Sequence, residues 1–205
     1  MGIVFYYSPM SSATRVHWAL EELAVPYDKV KVDLAAGEQR KPELLKVNPN
    51  GKVPAMLVDG VPLFESLAML LHLGEQYGVD KGLFPPPGMA RMEAFKWMVW
   101  GSVSLSECLT RFLRNSSERW PAEQRSAGAA EAARIELGHL LGLLEGQLTN
   151  RSFVLGPEFS LADCGLATTV SFIGRMGIDL SAHVNVGAWV GRCLSRPAFG
   201  RAMAG

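Results

Sequence analysis

The chain has 205 residues, of which 48% are hydrophobic, and it carries 20 basic and 20 acidic side chains. This length and composition allow a substantial apolar core in one large domain or two small ones. The balanced charge, without a basic stripe between exposed aromatic residues, argues against a nucleic-acid-binding surface. No apolar run approaches the roughly 20 residues that span a bilayer, and the first residues lack the pattern of a signal peptide. We therefore expect a cytoplasmic globular protein with neither a nucleic acid nor a membrane as partner.

The cysteines and histidines are few and scattered. An odd number of distant cysteines without a C-x-x-C pair argues against a disulfide framework, and no histidine falls in metal-ligand spacing with another histidine or a cysteine. We expect reduced, buried thiols and no metal. These residues are Cys108, Cys164, Cys193, His17, His72, His139 and His183.

The chain begins with a strand, a helix and a second strand. The apolar run at 3–7 is typical of a strand that is buried on both faces. From Ser12 onward the apolar period becomes helical, and 27–34 then alternates with Val30, Val32 and Leu34 on one face. A strand, helix and strand in this order predict a right-handed parallel crossover.

A hairpin and a further helix follow. A weakly helical segment at 37–47 leads to two short strands at 55–58 and 62–64, which Asp59-Gly60 joins as a tight antiparallel turn. An apolar-periodic segment starts directly after the second strand. The predicted order is β-α-β-α-β-β-α, a four-stranded mixed sheet with helices on both sides.

A linker and an all-helical region make up the rest of the chain. Three consecutive prolines at 85–87 exclude a helix and favour extended chain. Beyond them the strand patterns disappear, and 89–113 and 122–148 are typical of long helices. The predicted division is a sheet domain at 1–77, a linker at 78–88 and a helical domain at 89–205.

The segment 160–163 has the spacing of a helix-capping box. Ser160 and Asp163 stand three residues apart, directly before an apolar run. We interpret both as structural capping residues. Asp163 is therefore not a candidate for a catalytic acid.

The segment 48–66 has the features of a receptor for a small peptide-like molecule. Val53 precedes Pro54, so its backbone is biased toward an extended geometry that can pair with a short peptide. Glu65 and Ser66 stand at the start of a predicted helix, where unpaired N–H groups bind carboxylates. The acid at this position could hold an amine beside that anion pocket.

Four segments in order resemble the cytosolic glutathione S-transferase family. They are Tyr-Tyr-Ser-Pro-Met-Ser-Ser-Ala-Thr-Arg-Val at 6–16, Asn-Pro-Asn-Gly-Lys-Val-Pro at 48–54, Phe-Glu-Ser at 64–66 and Ser-Leu-Ala-Asp at 160–163. They are similar to the family's catalytic loop, cis-proline loop, γ-glutamyl site and second-domain capping box. The resemblance covers nearly the whole chain and implies a thioredoxin-like first domain, an all-helical second domain and a homodimer.

The resemblance also implies roles in glutathione binding. The Val53 backbone would pair with the cysteinyl part of glutathione, with Pro54 cis. Glu65 and Ser66 would hold the γ-glutamyl amine and carboxylate.

Further residues are placed around the other ends of the ligand. Lys52 and Gln39 would lie near the glycyl carboxylate, as the resemblance implies. Met10, Trp97 and Trp100 are apolar candidates for the wall that holds the electrophile, although a Trp pair three residues apart on a helix is also typical of a core.

The chemistry requires a group that stabilises a thiolate. A free thiol has a pKa near 8.5, so only a few per cent is ionised at neutral pH, and the thiolate is the nucleophile. By resemblance the stabilising hydroxyl is that of Ser11, Ser12 or Tyr7. Counting back from Arg15 favours Ser11, which leaves Ser12 as the predicted N-cap of the first helix.

These observations predict a glutathione transferase that adds the glutathione thiol to small apolar electrophiles. Glutathione is the co-substrate, and neither a metal nor a nicotinamide is implied. Two alternatives remain: a non-catalytic glutathione-binding or regulatory protein on the same fold, and a thiol-disulfide or peroxidase-type enzyme. The lack of any cysteine before Cys108 argues against the second, because mixed-disulfide exchange on a protein needs a protein thiolate.

Overall fold

A computed structural model describes residues 2–204, which cluster into two compact units. The first, here called the sheet unit, comprises the chain up to Pro87 together with the segment from Leu194 onward. The second, the helical unit, runs from Gly88 to Cys193. The boundary between residues 87 and 88 lies within the predicted linker. The C-terminal segment is grouped with the sheet unit, whereas the sequence-based prediction included it in the helical domain.

The sheet unit contains a four-stranded mixed sheet with the order β2-β1-β3-β4. β1 pairs in parallel with β2, and β3 pairs antiparallel with both β1 and β4. This arrangement confirms the predicted crossover and hairpin. The strands are β1 Ile3–Tyr7, β2 Asp28–Lys31, β3 Ala55–Val58 and β4 Val61–Phe64.

β2 is shorter than predicted and does not present a continuous buried face. All four of its residues are exposed, including Val30, because it is an edge strand with a neighbour on one side only. Val32 lies just past its end and is buried, with Leu34 packed against it.

Three helices of the sheet unit follow its strands in the chain. They are α1 Ala13–Leu23, α2 Pro42–Val47 and α3 Ser66–Leu73, the last continuing as a π-helical turn at 74–78. α1 buries an apolar face that includes Val16, Leu20 and Leu23, as the helical period of the sequence predicts.

The helical unit contains α4 Met89–Trp100, α5 Ser106–Ser116, α6 Ala127–Gln147, α7 Leu161–Arg175 and α8 Val184–Leu194, whose last residue lies across the boundary. α4 and α5 are joined by a π-helical segment at 101–105. Gly101 permits the close approach of α7 there, because an added Cβ would lie 2.6 Å from a methyl carbon of Leu166. Within residues 2–204, every helix is too short or too polar to cross a bilayer.

The last helix, α9 Pro197–Ala204, packs against α1. The Phe199 ring meets the Trp18 ring edge to face, with 5.0 Å between their centroids. This contact explains why the C-terminal segment belongs to the sheet unit.

Asp163 is buried in the first turn of α7 and accepts four hydrogen bonds. The backbone N–H and the hydroxyl of Ser160 donate to Oδ2, both at 2.9 Å. The Val154 N–H and the Trp189 indole donate to Oδ1 at 2.9 and 2.8 Å. Burial raises the pKa of the Asp163 carboxyl, and the four hydrogen bonds oppose that rise. Asp163 therefore also ties the loop before α7 and helix α8 to the helix start.

We expect Asp163→Ala to lower the free energy of unfolding by about 3 kcal/mol or more, because each buried donor left without an acceptor costs about 1–3 kcal/mol. Ser126 is a matched control, since it caps α6 at an exposed site by accepting from the Ala129 N–H. Ser126→Ala should cost about 1 kcal/mol. Denaturant unfolding followed by circular dichroism compares the two, and equal losses would contradict the additional role of Asp163.

Candidate functional site

The register of the sheet brings three predicted site segments to one end of β3. Ala55, the first residue of β3, is paired with Tyr6 on one side and with Phe64 on the other. Continuing this antiparallel register places Val53 and Pro54 between the loop after β1 and the start of α3. Residues far apart in the chain therefore meet around the short segment before β3.

The segment before β3 has a defined backbone. The peptide bond between Val53 and Pro54 is cis, as the resemblance implies. Asn48 is 3% exposed and orders the preceding loop, since its Nδ2 donates to the Lys52 carbonyl at 2.8 Å and its Oδ1 accepts from the Asn50 N–H at 3.1 Å. The sequence analysis missed this role of Asn48, although an Asn-Pro-Asn-Gly run is a recognisable signal for side-chain-stabilised turns.

Glu65 and Ser66 lie at the junction of β4 and α3. Glu65 is exposed and has φ 71° and ψ 116°, a backbone conformation that is uncommon for a residue with a side chain. Such conformations cluster at functional sites, and the sequence carried no signal for this one. Ser66 is the first residue of α3 and is half-buried, at a helix end whose N–H groups are suited to a carboxylate.

Ser11 and Ser12 have clearly different surroundings. The Ser11 hydroxyl donates to the Ser8 carbonyl at 2.7 Å and accepts from the Ala13 N–H at 3.1 Å. Ser12 occupies the N-cap position of α1, as predicted, but its side chain makes no capping hydrogen bond. The Ser11 hydroxyl accepts from the helix start instead.

The Ser12 hydroxyl points toward the cis-proline segment. It is exposed and lies 3.4 Å from the Val53 carbonyl oxygen, a long hydrogen bond that a ligand can replace. A serine hydroxyl has one proton to donate, and that of Ser11 is already engaged within its own loop. This geometry favours Ser12 over Ser11 as the donor to a thiolate beside Val53.

Tyr7 packs as part of an aromatic cluster in the core. Its ring is 5% exposed, stacks on Phe5 at 5.8 Å and lies 5.3 Å from the His17 ring. Burial lowers the pKa of His17, and the positive charge of Lys29 lowers it further. The packing favours a structural role for Tyr7.

Gln39 and Lys52 lie against the same loop. A side chain added at Gly51 would meet the Gln39 carbonyl oxygen at 3.4 Å. The Gln39 Oε1 is buried and has no hydrogen-bond partner among residues 2–204, so a ligand N–H or O–H could satisfy it. Lys52 is exposed, and its backbone carbonyl accepts from Asn48. These positions are compatible with the roles that the resemblance implies for both residues.

The candidates for an electrophile wall belong to different units. Met10 is exposed in the sheet unit with a positive φ of 57°. Trp97 and Trp100 lie in α4 of the helical unit, where their rings meet edge to face at 5.1 Å. Trp97 Nε1 is buried without a hydrogen-bond partner in the described part of the chain. A joint role for these three residues stays a prediction.

Known proteins are similar to nearly the whole chain. Models of the glutathione S-transferase N-terminal and C-terminal domains match residues 2–75 and 104–197. The disulfide-bond oxidoreductase YfcG of Escherichia coli (strain K12) is 32% identical over 208 residues, covering 98% of this chain and 94% of that protein. The glutathione S-transferase GstB of the same strain is 30% identical over 190 residues, covering 92% and 90%.

A solved structure adds a ligand to the comparison. The glutathione transferase of Burkholderia graminis, with two glutathione molecules bound per subunit, matches with a TM-score of 0.88 at 27% identity. The match covers 98% of this chain and 87% of that one.

We expect Ser12→Ala to raise the pKa of bound glutathione and to lower turnover by about 10- to 100-fold, the effect of about 1.4–2.7 kcal/mol in the barrier. Ser11→Ala should mainly lower stability, because its hydroxyl serves the loop. Thiolate absorbance against pH measures the first effect, and Ser12→Thr is the control that keeps a hydroxyl. If the pKa of bound glutathione stays low in Ser12→Ala but rises in Ser11→Ala, Ser11 is the thiolate-stabilising residue, as the sequence predicted.

Proposed function

Because the chain belongs to the glutathione S-transferase family, we propose that it binds glutathione, ionises the thiol and adds the sulfur to small apolar electrophiles. The observation that carries this proposal is the approach of the Ser12 hydroxyl to the backbone of Val53, at 3.4 Å. A peptide residue that pairs with Val53 would present its own side chain to that hydroxyl. For glutathione, this side chain is the thiol.

The remaining groups hold the ends of the tripeptide. Glu65 would pair with the γ-glutamyl amine, and Ser66 together with the N–H groups at the start of α3 would bind the adjoining carboxylate. Lys52 would offset the charge of the glycyl carboxylate, with Gln39 beside it. Charge-assisted hydrogen bonds at both ends fix the position of the cysteinyl part between them.

Thiol ionisation is the step to which the protein contributes most. The thiol proton leaves to water, because the Ser12 side chain is exposed, and the Ser12 hydroxyl donates a hydrogen bond to the thiolate. Lowering the thiol pKa by about 2 units requires about 2.7 kcal/mol of preferential stabilisation. The sulfur lone pair then forms a bond to the electrophilic carbon, while the displaced electron pair leaves with the departing group or takes up a proton from water.

A second candidate is reduction of disulfides by two glutathione molecules. The relative YfcG is named a disulfide-bond oxidoreductase, and the Burkholderia graminis structure holds two glutathione molecules per subunit. The first thiolate would attack a disulfide, forming a mixed disulfide and releasing one thiolate. The second would attack the mixed disulfide, giving oxidised glutathione and the other thiolate. Because glutathione supplies both sulfurs, the absence of a cysteine before Cys108 is no obstacle to this reaction.

Binding at the γ-glutamyl end provides a direct test. We expect Glu65→Ala and Ser66→Ala each to weaken glutathione affinity by about 10- to 100-fold, because a hydrogen bond to a charged group contributes about 1.5–3 kcal/mol. Glu43→Ala, at an exposed acid in the first turn of α2, is the matched control. Calorimetry with reduced glutathione measures all three, and wild-type affinity in both site variants would contradict the assignment.

Turnover assays separate the two modes of catalysis. The wild-type protein is incubated with glutathione and either an aryl halide or a small-molecule disulfide that is reduced to two thiols. Product formation is followed in each case. Conjugation of the aryl halide supports the transferase, and faster reduction of the disulfide supports the second candidate. Tight glutathione binding with neither reaction would support a binding protein instead.

The exposed face of α4 supports a homodimer. Met89, Met92, Phe95 and Val99 are exposed apolar residues at intervals of three or four, so they share one helix face. A continuous apolar face of this kind is typical of a protein interface. We propose that a second copy of the chain covers it, as the family resemblance implies.

The double variant Met92→Asp/Val99→Asp should therefore convert the dimer to a monomer, because it places two charges on the proposed interface. Leu143→Asp is the control, since Leu143 is 60% exposed on α6 and lies outside this face. Light scattering after gel filtration measures the mass. A monomeric wild type, or a dimeric double variant, would contradict the proposal.

A further inference from the structure

A bidentate ion pair joins the C-terminal segment to α1. Arg196 donates from Nε and Nη2 to the two carboxylate oxygens of Glu22, at 2.6 and 2.7 Å. The Trp18 indole also donates to Glu22, at 2.9 Å, and the Glu22 side chain is only 6% exposed. A two-pronged pair of this kind fixes orientation as well as distance.

A second set of contacts supports the same docking. Arg201 donates to the Glu21 carboxylate at 2.7 Å and to its carbonyl at 3.0 Å, while the Tyr27 hydroxyl donates to the carboxylate at 2.6 Å. Burial raises the pKa of Glu21, but the hydrogen bonds from Tyr27 and Arg201 outweigh burial, so the pKa lies below its usual range. His17 adds a hydrogen bond to the backbone of Ala202.

These contacts hold one end of the helix that carries Ser12 at its other end. Ser12 directly precedes α1, and the docked residues lie in its middle and last turns. At about 1.5 Å per residue, Glu22 lies about 15 Å along the helix axis from Ser12. Because a hydrogen-bonded helix moves as a rigid body, a small tilt at the docked end displaces the Ser12 hydroxyl. A hydrogen bond weakens steeply with such displacement.

We infer that Arg196 is a positioning residue for thiolate stabilisation, acting through the Glu22 pair and α1 on the Ser12 hydroxyl. This inference rests on the proposed function. The C-terminal segment, some 170 residues away from α1 in the chain, would then control the acidity of a thiol that is bound at the end of the sheet.

The inference predicts that binding and acidity respond separately. The residues proposed to bind glutathione lie outside α1. Val53 precedes β3, Glu65 follows β4 and Ser66 is the first residue of α3. Loosening α1 should therefore raise the pKa of the bound thiol, while glutathione affinity measured at a pH below that pKa, where the bound thiol is protonated, stays within about twofold of wild type. A merely structural role would lower stability without changing the acidity of the bound thiol.

The test compares Arg196→Met and Arg196→Lys with the wild type, each saturated with glutathione. Thiolate absorbance against pH gives the thiol pKa, calorimetry gives the affinity and steady-state kinetics give kcat and KM. We expect Arg196→Met to raise the pKa of the bound thiol by about one unit. At a pH below that pKa, the thiolate fraction should then fall by about tenfold, and kcat should fall in parallel. Arg196→Lys keeps the charge and should recover part of the acidity.

Arg111→Met is the matched control. Arg111 also bonds two carboxylate groups, those of Glu107 at 2.9 Å and Glu136 at 2.7 Å, but within the helical unit. It should lower stability without changing the thiol pKa. Glu22→Gln keeps the size of the partner and tests the pair from its other side if Arg196→Met does not fold.

A wild-type thiol pKa in both Arg196→Met and Glu22→Gln, or in Glu22→Gln alone if Arg196→Met does not fold, would overturn the inference. So would a shift in Arg111→Met as large as that in the Arg196 variants. A thiol in the wild-type complex that is no more acidic than free glutathione would instead overturn the proposed function, so the two failures are distinguishable.

Discussion

The pairing of β3 on both of its edges is the constraint on which the candidate site depends. Ala55 is held by β1 and β4 together, so the backbone just before it cannot move independently of either neighbour. Asn48 fixes the loop on the other side of that segment. The backbone of Val53 is therefore held in place before a ligand arrives, which reduces the ordering cost of binding.

α1 connects this site to the end of the chain. Its first turn follows the loop at 8–12. In its later turns, Glu22 and Glu21 accept hydrogen bonds from Arg196 and Arg201 of the C-terminal segment. His17 of the same helix packs against the rings of Phe5 and Tyr7. Core packing and ion pairing thus act on one element, so the position of one hydroxyl depends on contacts made along its whole length.

None of the candidate site residues is a cysteine. In the function proposed above, glutathione would provide the nucleophile, and the chain would provide a backbone partner, charged groups for both ends of the tripeptide and a hydroxyl donor. The same arrangement would serve addition to an electrophile and exchange with a disulfide, because both reactions begin with the same thiolate. The relatives named for each of these activities accord with a site that prepares the thiolate and leaves the choice of acceptor to other surfaces.

Local patterns in the sequence determined much of this fold. The period of the apolar residues indicated β1 and α1, and Asp59-Gly60 indicated the hairpin, where both residues do have positive φ. The four motifs indicated the family. These features depend on residues that are neighbours in the chain, so the sequence contains what is needed to recognise them.

Only the tertiary structure decided which serine faces the cis-proline segment, which backbone conformation Glu65 adopts and where the C-terminal segment docks. Ser11 and Ser12 are identical in chemistry and adjacent in sequence, and the direction of each side chain depends on how the loop after β1 meets the cis-proline segment. The bonds from Arg196 to Glu22 and from Trp189 to Asp163 join residues that are distant in sequence. Such pairs leave no periodic signal, because their energy arises only when folding brings the partners within hydrogen-bonding distance.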